Sequence, residues 1–237
     1  MGPDGATHQA LEDLFQVASL PGMTVVAPCD AIETRRATEA LLFMVDGPKF
    51  LRFAREATPV VTGESTPFRL GAANAIRFRR EAKRFVDAFE VRFARDFPDE
   101  HEDLTIAACG PVLAEAMRAA WMLEAECGLT ARVLDLHTVK PIDRAAIARA
   151  GAETSLVVTV EEHQTGGFGH RVLEVLAARG ACVPVEMIGV DDRFGESGAP
   201  WELLFKFGLS AEHIVARVRD AWTRHGLAHG AHAGGSR

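Results

Sequence analysis

Along the first 60 residues, the pattern of apolar and polar positions switches between the periodicity of a helix and that of a strand. Apolar residues fall on one helical face over 8–17, and a β-branched apolar run at 23–28 predicts the strand that follows. A second helix is expected over 31–45, with Asp30 as its N-cap, and a second strand over 49–54. Helix and strand in alternation predict an α/β arrangement, in which crossover helices join parallel strands.

A second α/β pattern begins at Leu104. Its strands are short apolar runs, and each is followed by a segment with helical periodicity. The predicted strands are 104–110, 131–137, 156–163 and 183–189, and the predicted helices are 111–127, one from Asp143, one from the GGFGH stretch to 179, 201–207 and 211–224. The fold class is therefore α/β in both halves of the chain.

Between the two patterns, residues 63–103 are irregular and contain Thr-Pro and Gly-Glu-Ser-Thr-Pro breakers. We expect a linker there, with one possible helix over 85–93. The predicted organisation is a partial α/β domain over 1–62, this linker, a complete α/β domain over 104–225 and a flexible Gly-rich tail over 226–237.

Composition narrows the class of protein. The 237 residues carry a net charge of −7, which argues against nucleic acid as a partner, because phosphate binding needs concentrated Lys and Arg. The sequence contains neither an apolar run of about 18 residues nor a signal peptide, so we expect no membrane association and a cytoplasmic location. The four cysteines lack C-x-x-C spacing and are expected to be reduced thiols.

Several motifs together resemble one enzyme family. GPDGATHQALED (2–13) and LPGMTVVAPCDAIET (20–34) resemble the latter half of the pyrimidine-binding domain of transketolases. VKPID, VTVEEHQTGGFGH and DDRFGESG resemble the transketolase C-terminal domain, in the same order along the chain. Deoxyxylulose-phosphate synthases and 2-oxoacid dehydrogenase β chains share this layout, but THQALED and FGESG are closer to transketolase. The resemblance implies part of a thiamine-diphosphate pyrimidine-binding domain followed by a three-layer α/β C-terminal domain.

The resemblance also implies an activity, which is the transfer of a two-carbon ketol unit between sugar phosphates. It places Asp4 and His8 against the donor sugar, with His8 as the catalytic residue, and it gives Arg55 to the sugar phosphate. An alternative is that Asp4 or Thr7 caps a helix starting near His8. Arg52 is expected on the opposite face of the strand from Arg55, either at the surface or in an ion pair.

The resemblance further implies that the chain begins in the middle of a domain. The glutamate that activates the cofactor, the aromatic residue that stacks on it, and the Gly-Asp-Gly segment with its Mg²⁺ carboxylates are not found in these residues. We therefore expect thiamine diphosphate and Mg²⁺ to be held mainly by partner chains, and no cofactor-binding or metal-binding residue is assigned here. The expected partner carries the diphosphate-binding domain and the rest of the pyrimidine domain, in a homo- or hetero-oligomer that is inactive without it.

Two alternatives to a split transketolase remain open at this stage: a non-catalytic assembly or regulatory subunit, and a related enzyme of a specialised pathway with another ketol substrate. The Gly166–Gly169 stretch opens a helix, but it lacks a full phosphate-binding signature, so no phosphate site is predicted there. The adjacent Glu161, Glu162 and His163 are expected to orient a turn or to meet a partner chain.

Overall fold

The computed structural model describes residues 2–79 and 85–229, which form two β-sheets flanked by helices. The α-helices are α1 (Asp13–Ser19), α2 (Ala31–Met44), α3 (Leu113–Met122), α4 (Arg144–Glu153), α5 (Phe168–Ala178), α6 (Pro200–Lys206) and α7 (Ala211–Arg224). The strands are β1 (Thr24–Val26), β2 (Lys49–Leu51), β3 (Asn74–Phe78), β4 (Phe89–Phe93), β5 (Leu104–Cys109), β6 (Ala131–Asp135), β7 (Thr138–Lys140), β8 (Leu156–Gln164) and β9 (Val185–Val190).

The larger sheet has six strands in the order β4-β3-β6-β5-β8-β9. Strands β6, β5, β8 and β9 run parallel, whereas β3 and β4 are antiparallel to their neighbours. Helices α3 and α7 contribute to the apolar core on one face, and α4 and α5 to the core on the other. Apolar runs such as that of β5 are buried on both faces because helices cover both. The predicted three-layer α/β fold is confirmed.

Residues 63–103 differ from the linker that the sequence suggested. They supply β3 and β4 to the larger sheet, and the possible helix over 85–93 is instead a 3₁₀ turn followed by β4. Charged residues anchor this segment, since Glu102 accepts hydrogen bonds from Arg77 on β3 and from Arg132 on β6, the latter at 2.8 Å. All three side chains are buried. Strand pairing and buried ion pairs, which are long-range contacts, therefore override the local breakers.

The smaller sheet has the order β2-β1-β7. Strands β1 and β2 are parallel, as predicted, and β7 pairs with β1 in the antiparallel sense. Strand β2 ends at Leu51, three residues before the predicted end. Because β7 follows β6 of the larger sheet, the first 60 residues depend on the C-terminal half of the chain for one edge of their sheet.

Helix α1 begins at Asp13, five residues later than expected, and ends against the C-terminal half. The ammonium group of Lys140 donates to the carbonyl of Ala18 at 3.0 Å, and Arg171 donates to the same oxygen at 3.1 Å. Cationic donors at a helix C-terminus satisfy carbonyls that have no partner within the helix. The short helix is thus fixed by residues more than one hundred positions away.

The predicted tail begins with packed residues. Leu227 packs against the core on the α7 side, and its backbone N–H donates to the carbonyl of Trp222 at 3.1 Å. Residues 230–237 of the predicted tail lie outside the described residues. Across 2–79 and 85–229, none of the helices combines the length and the hydropathy of a bilayer-spanning segment.

Candidate functional site

The loop over 2–12 carries Asp4 and His8 and lies on the C-terminal half of the chain. Asp4 forms an isolated β-bridge with Ser197, and the side-chain amide of Gln9 donates to the carbonyl of Glu196 at 3.0 Å. Gly5 has φ +89°, and a Cβ there would lie 2.6 Å from the Ser197 hydroxyl oxygen. The close approach and the positive φ both require glycine. The loop therefore packs against residues 196–197.

The structure brings together two of the three predicted site residues. Arg55 Nε lies 3.2 Å from Asp4 Oδ2, and the two side chains are 60% and 32% exposed. His8 is exposed on the same loop, where its Nδ1 lies 2.9 Å from the Thr7 hydroxyl. A carboxylate, a guanidinium and an imidazole thus come from two segments of the chain that are adjacent in space.

A capping role for Asp4 or Thr7 is wrong. Helix α1 begins at Asp13, well after both residues, and the first-turn N–H of Leu14 donates to Asp13 Oδ1 at 2.8 Å. Residues 6–8 form turns instead of helix. The polar side chains of the 4–8 motif are therefore not used to satisfy a helix terminus, and they face solvent.

Arg52 also contacts the loop over 2–12, contrary to the expectation from strand alternation. It donates to the carbonyl of Ala10 at 3.2 Å and lies 3.4 Å from Asp13 Oδ1. The reason is that β2 ends at Leu51, so residues 52–55 are not held in the alternating strand geometry. Of the two alternatives for Arg52, a surface position and an ion pair, the structure shows the ion pair, with Asp13, but the Arg52 side chain contacts the same loop as that of Arg55.

Glu161 holds the N-terminus of α5. Its carboxyl oxygens accept from the backbone N–H groups of Phe168 at 2.6 Å and Gly169 at 3.0 Å. Burial raises the pKa of this carboxyl to about 7, although the backbone hydrogen bonds partly oppose that rise. The GGFG stretch therefore carries a protein carboxyl where a phosphate-binding loop would hold its ligand. His163, two residues later, places Nε2 3.1 Å from Asp13 Oδ1.

A buried polar cluster at the carboxyl end of β1 was not found from the sequence. Cys29, Glu33 and Asp135 each place one side-chain atom within 4.8 Å of the other two. Burial raises the pKa of both carboxyls, and they hydrogen-bond to each other. Burial also raises the thiol pKa of Cys29. The signal was weak because Asp135 lies about one hundred residues from Cys29 and Glu33 in sequence. The cluster fits a neutral, structural role better than that of a cation site.

The helix N-termini near the site do not fit the diphosphate of a cofactor. Asp30 accepts from the N–H of Glu33 at 2.9 Å in the first turn of α2, as predicted, and from the backbone N–H of Thr62 at 2.7 Å. Glu161 fills the equivalent position on α5. A second anion at either place would meet a carboxyl side chain instead of free N–H groups. These two helix N-termini therefore do not offer a binding place for a cofactor diphosphate.

Sequence comparison matches the chain to the models of two domains of one family. Residues 1–60 match the model of the transketolase pyrimidine binding domain, and residues 96–214 match that of the transketolase C-terminal domain. The chain is 35% identical over 222 residues to the 6-deoxy-6-sulfo-D-fructose transketolase subunit SqwH of Clostridium sp. (strain MSTE9), covering 93% of this chain and 61% of that protein. It is 36% identical over 215 residues to an apulose-4-phosphate transketolase subunit of Phocaeicola vulgatus, covering 90% and 61%.

Solved structures agree with this result. A split-gene transketolase, described as an inactive β4 tetramer, is 37% identical with a TM-score of 0.74, and the match covers 92% of this chain and 63% of that one. Transketolase from Leishmania mexicana shares the fold at 23% identity, with a TM-score of 0.69 over 96% of this chain and 29% of that one. The chain spans about three fifths of the length of the two curated subunits from Clostridium sp. and Phocaeicola vulgatus. The resemblance expected from the motifs is thus confirmed, and this chain belongs to the transketolase family as a transketolase C-terminal section.

Proposed function

We propose that this chain is one subunit of a split transketolase, which transfers a two-carbon ketol unit between sugar phosphates when it is assembled with partner chains. The observation that carries the proposal is the contact between Asp4 and Arg55, which are 51 positions apart in sequence. It joins the two segments to which the resemblance gives the sugar hydroxyls and the sugar phosphate. The subunit names of the relatives from Clostridium and Phocaeicola vulgatus support the split organisation.

Each of the three residues has a role that suits its chemistry and exposure. The exposed guanidinium of Arg55 binds the sugar phosphate, because its planar donor fork matches phosphate oxygens. The carboxylate of Asp4 accepts hydrogen bonds from sugar hydroxyls. His8 is the catalytic residue, since an imidazole donates to or takes a proton from a substrate oxygen near neutral pH. Thiamine diphosphate with Mg²⁺ supplies the carbanion chemistry and is held mainly by partner chains.

The partner in this proposal carries the diphosphate-binding domain and the rest of the pyrimidine domain. Strand β2 lies at the edge of the smaller sheet within the described residues, so its outer backbone groups are open to another strand. Three consecutive apolar side chains at the end of α2, at positions 42–44, are 64%, 83% and 79% exposed. Such a patch supports contact with another chain. We expect the isolated chain to be inactive and the assembled enzyme to act in the cytoplasm.

The test is isolation and assay of the assembled enzyme. The chain is purified from its native cells with its associated proteins, which are identified by mass spectrometry, and the complex is assayed for ketol transfer with a panel of ketose and aldose phosphates. We expect a stoichiometric partner with the diphosphate-binding domain and turnover of at least one pair. A chain that purifies alone and shows no turnover with any pair would refute the proposed function.

Variants then test the assigned residues within that complex. Arg55→Gln should raise the KM for the sugar phosphate about 10- to 100-fold, because a hydrogen bond between two charged groups is lost. The matched control is Arg35→Gln, which removes a similarly exposed arginine that is paired with Glu64. His8→Ala should lower kcat about 100-fold or more. Full turnover in His8→Ala would exclude the catalytic role and favour an assembly function for this chain.

A further inference from the structure

The loop that carries Asp4 and His8 is attached at both ends to residues outside it. At its first end, Asp4 contacts Arg55 and bridges to Ser197. At its second end, the carbonyl of Leu11 accepts from the backbone N–H of Gln164 on β8 at 2.8 Å, and the Leu11 side chain is buried in the core. The loop lacks regular secondary structure. Its conformation therefore depends on these attachments.

Three charged or titratable side chains meet at the second end. Asp13 is the first residue of α1, Arg52 follows β2 and His163 lies on β8. The Oδ1 atom of Asp13 is 3.4 Å from Arg52 Nε and 3.1 Å from His163 Nε2. The His163 side chain is only 4% exposed, and those of Arg52 and Asp13 are 17% and 23% exposed. Ion pairs that are shielded from water to this extent hold their geometry better than exposed ones.

The protonation states of the three groups favour this arrangement. Burial raises the pKa of Asp13, but the hydrogen bond from His163 and the charge of Arg52 outweigh it, so the pKa of that carboxyl lies below its ordinary value. Burial lowers the pKa of His163. Near neutral pH, a neutral imidazole therefore donates its Nε2–H to a charged carboxylate. The Nδ1 atom of His163 has no hydrogen-bond partner among the described residues, which leaves Asp13 as the contact that orients the ring.

We call the contacts among Asp13, Arg52 and His163 the bridge. Arg52 connects this bridge to the loop itself, because its guanidinium also donates to the carbonyl of Ala10. Ala10 is two residues from His8. Arg55, three residues after Arg52, contacts Asp4 at the other end. The segment from 52 to 55 thus holds both ends of the loop.

We propose that Arg52, Asp13 and His163 are positioning residues that hold the loop over 2–12 in the conformation in which Asp4 and His8 face the substrate. None of the three touches the substrate in this scheme. His163 is on β8, in the C-terminal domain. It contacts Asp13, and Asp13 contacts Arg52, which binds the loop, so in this scheme the C-terminal domain contributes to substrate binding indirectly. The inference rests on the proposed function for its kinetic part, whereas its structural part can be tested on the chain without turnover.

The structural test is hydrogen–deuterium exchange of the amides over 2–12 in the purified chain. Asp13→Asn keeps the size of the side chain and removes its charge. Arg52→Gln removes the cationic partner of Asp13. Both should raise the exchange rate of the loop about tenfold or more. The matched control is Arg144→Gln, which breaks the exposed pair of Arg144 with Glu174 and should leave the loop unchanged. Equal exchange in the two bridge variants, the control and the wild type overturns the proposal.

The kinetic test uses the reconstituted complex and separates positioning from loss of folded enzyme. A misplaced loop should raise the KM for the sugar phosphate about 10- to 100-fold, and because the loop also carries His8 it should lower kcat as well. Partial unfolding would instead lower kcat in proportion to the lost active protein and leave KM unchanged. A bridge variant whose loop exchanges faster but whose KM equals that of the wild type overturns the positioning role. Absence of turnover in the wild-type complex counts against the proposed function, while the exchange experiment still decides the bridge.

Discussion

Replacing Glu161 by glutamine should make the stability of the protein less dependent on pH. The wild-type carboxyl is 1% exposed and accepts from two backbone N–H groups at the start of α5. Glutamine has the same shape and keeps one acceptor oxygen, but it does not titrate between pH 5 and pH 9. The substitution therefore removes one titration while changing the packing little.

The magnitude follows from the pKa of Glu161, which is about 7 in the folded chain against an ordinary value of 4.5. Between these values the folded state keeps the proton and the unfolded state has lost it, so the free energy of unfolding falls as pH rises. From about pH 5.5 to about pH 8, this linkage amounts to about 2 kcal/mol. Wild type should lose about 2 kcal/mol more than Glu161→Gln over that interval.

The assay is urea denaturation of both proteins at several pH values, followed by circular dichroism. The difference in unfolding free energy between the two proteins cancels every titration that they share. Glu39→Gln, at an exposed position of α2, is the control and should follow the wild type. If the difference between wild type and Glu161→Gln stays constant within about 0.5 kcal/mol across the range, the carboxyl does not hold its proton in the way described.

Three other substitutions test the packing that supports the site. Phe168→Ala, at a fully buried position of α5, should cost about 3–5 kcal/mol of unfolding free energy in urea titrations, and a loss below about 1 kcal/mol would show that the core closes around the cavity. Glu102→Gln removes the negative charge beside the buried Arg132 and should cost about 3 kcal/mol, whereas an unchanged urea midpoint would contradict that pairing. Gly5→Ala should detach the loop over 2–12 from Ser197, seen as faster proteolytic cleavage there; a resistant loop would refute the close contact.

The regular elements could be predicted where local pattern and tertiary structure agree. Asp30 caps α2 and Asp143 caps α4, as side chains with short carboxylates before an apolar run suggest. Strand β5 and the first half of β8 are mostly apolar, which suits a sheet covered on both faces. The prediction of a linker over 63–103 was wrong because β3 depends on pairing with β6, which no local window contains, and β4 depends in turn on β3.

The site could be predicted in its residues but not in its geometry. The motif resemblance pointed to Asp4 and Arg55, and the structure shows them in contact, while their roles stay a prediction. The bridge through Asp13 and His163 joins positions 150 residues apart, so the spacing of residues in the sequence does not predict it. The place of Arg52 was misjudged because strand alternation was applied beyond Leu51, where the strand ends.

The pairing of β1 with β7 also sets the order in which the chain can complete its fold. Val26 pairs with Thr138, so the smaller sheet contains a contact that spans more than one hundred residues. During synthesis, β1 must wait until β7 has left the ribosome before this edge can form. The small sheet of the first 60 residues is therefore completed only after more than half of the chain has been made.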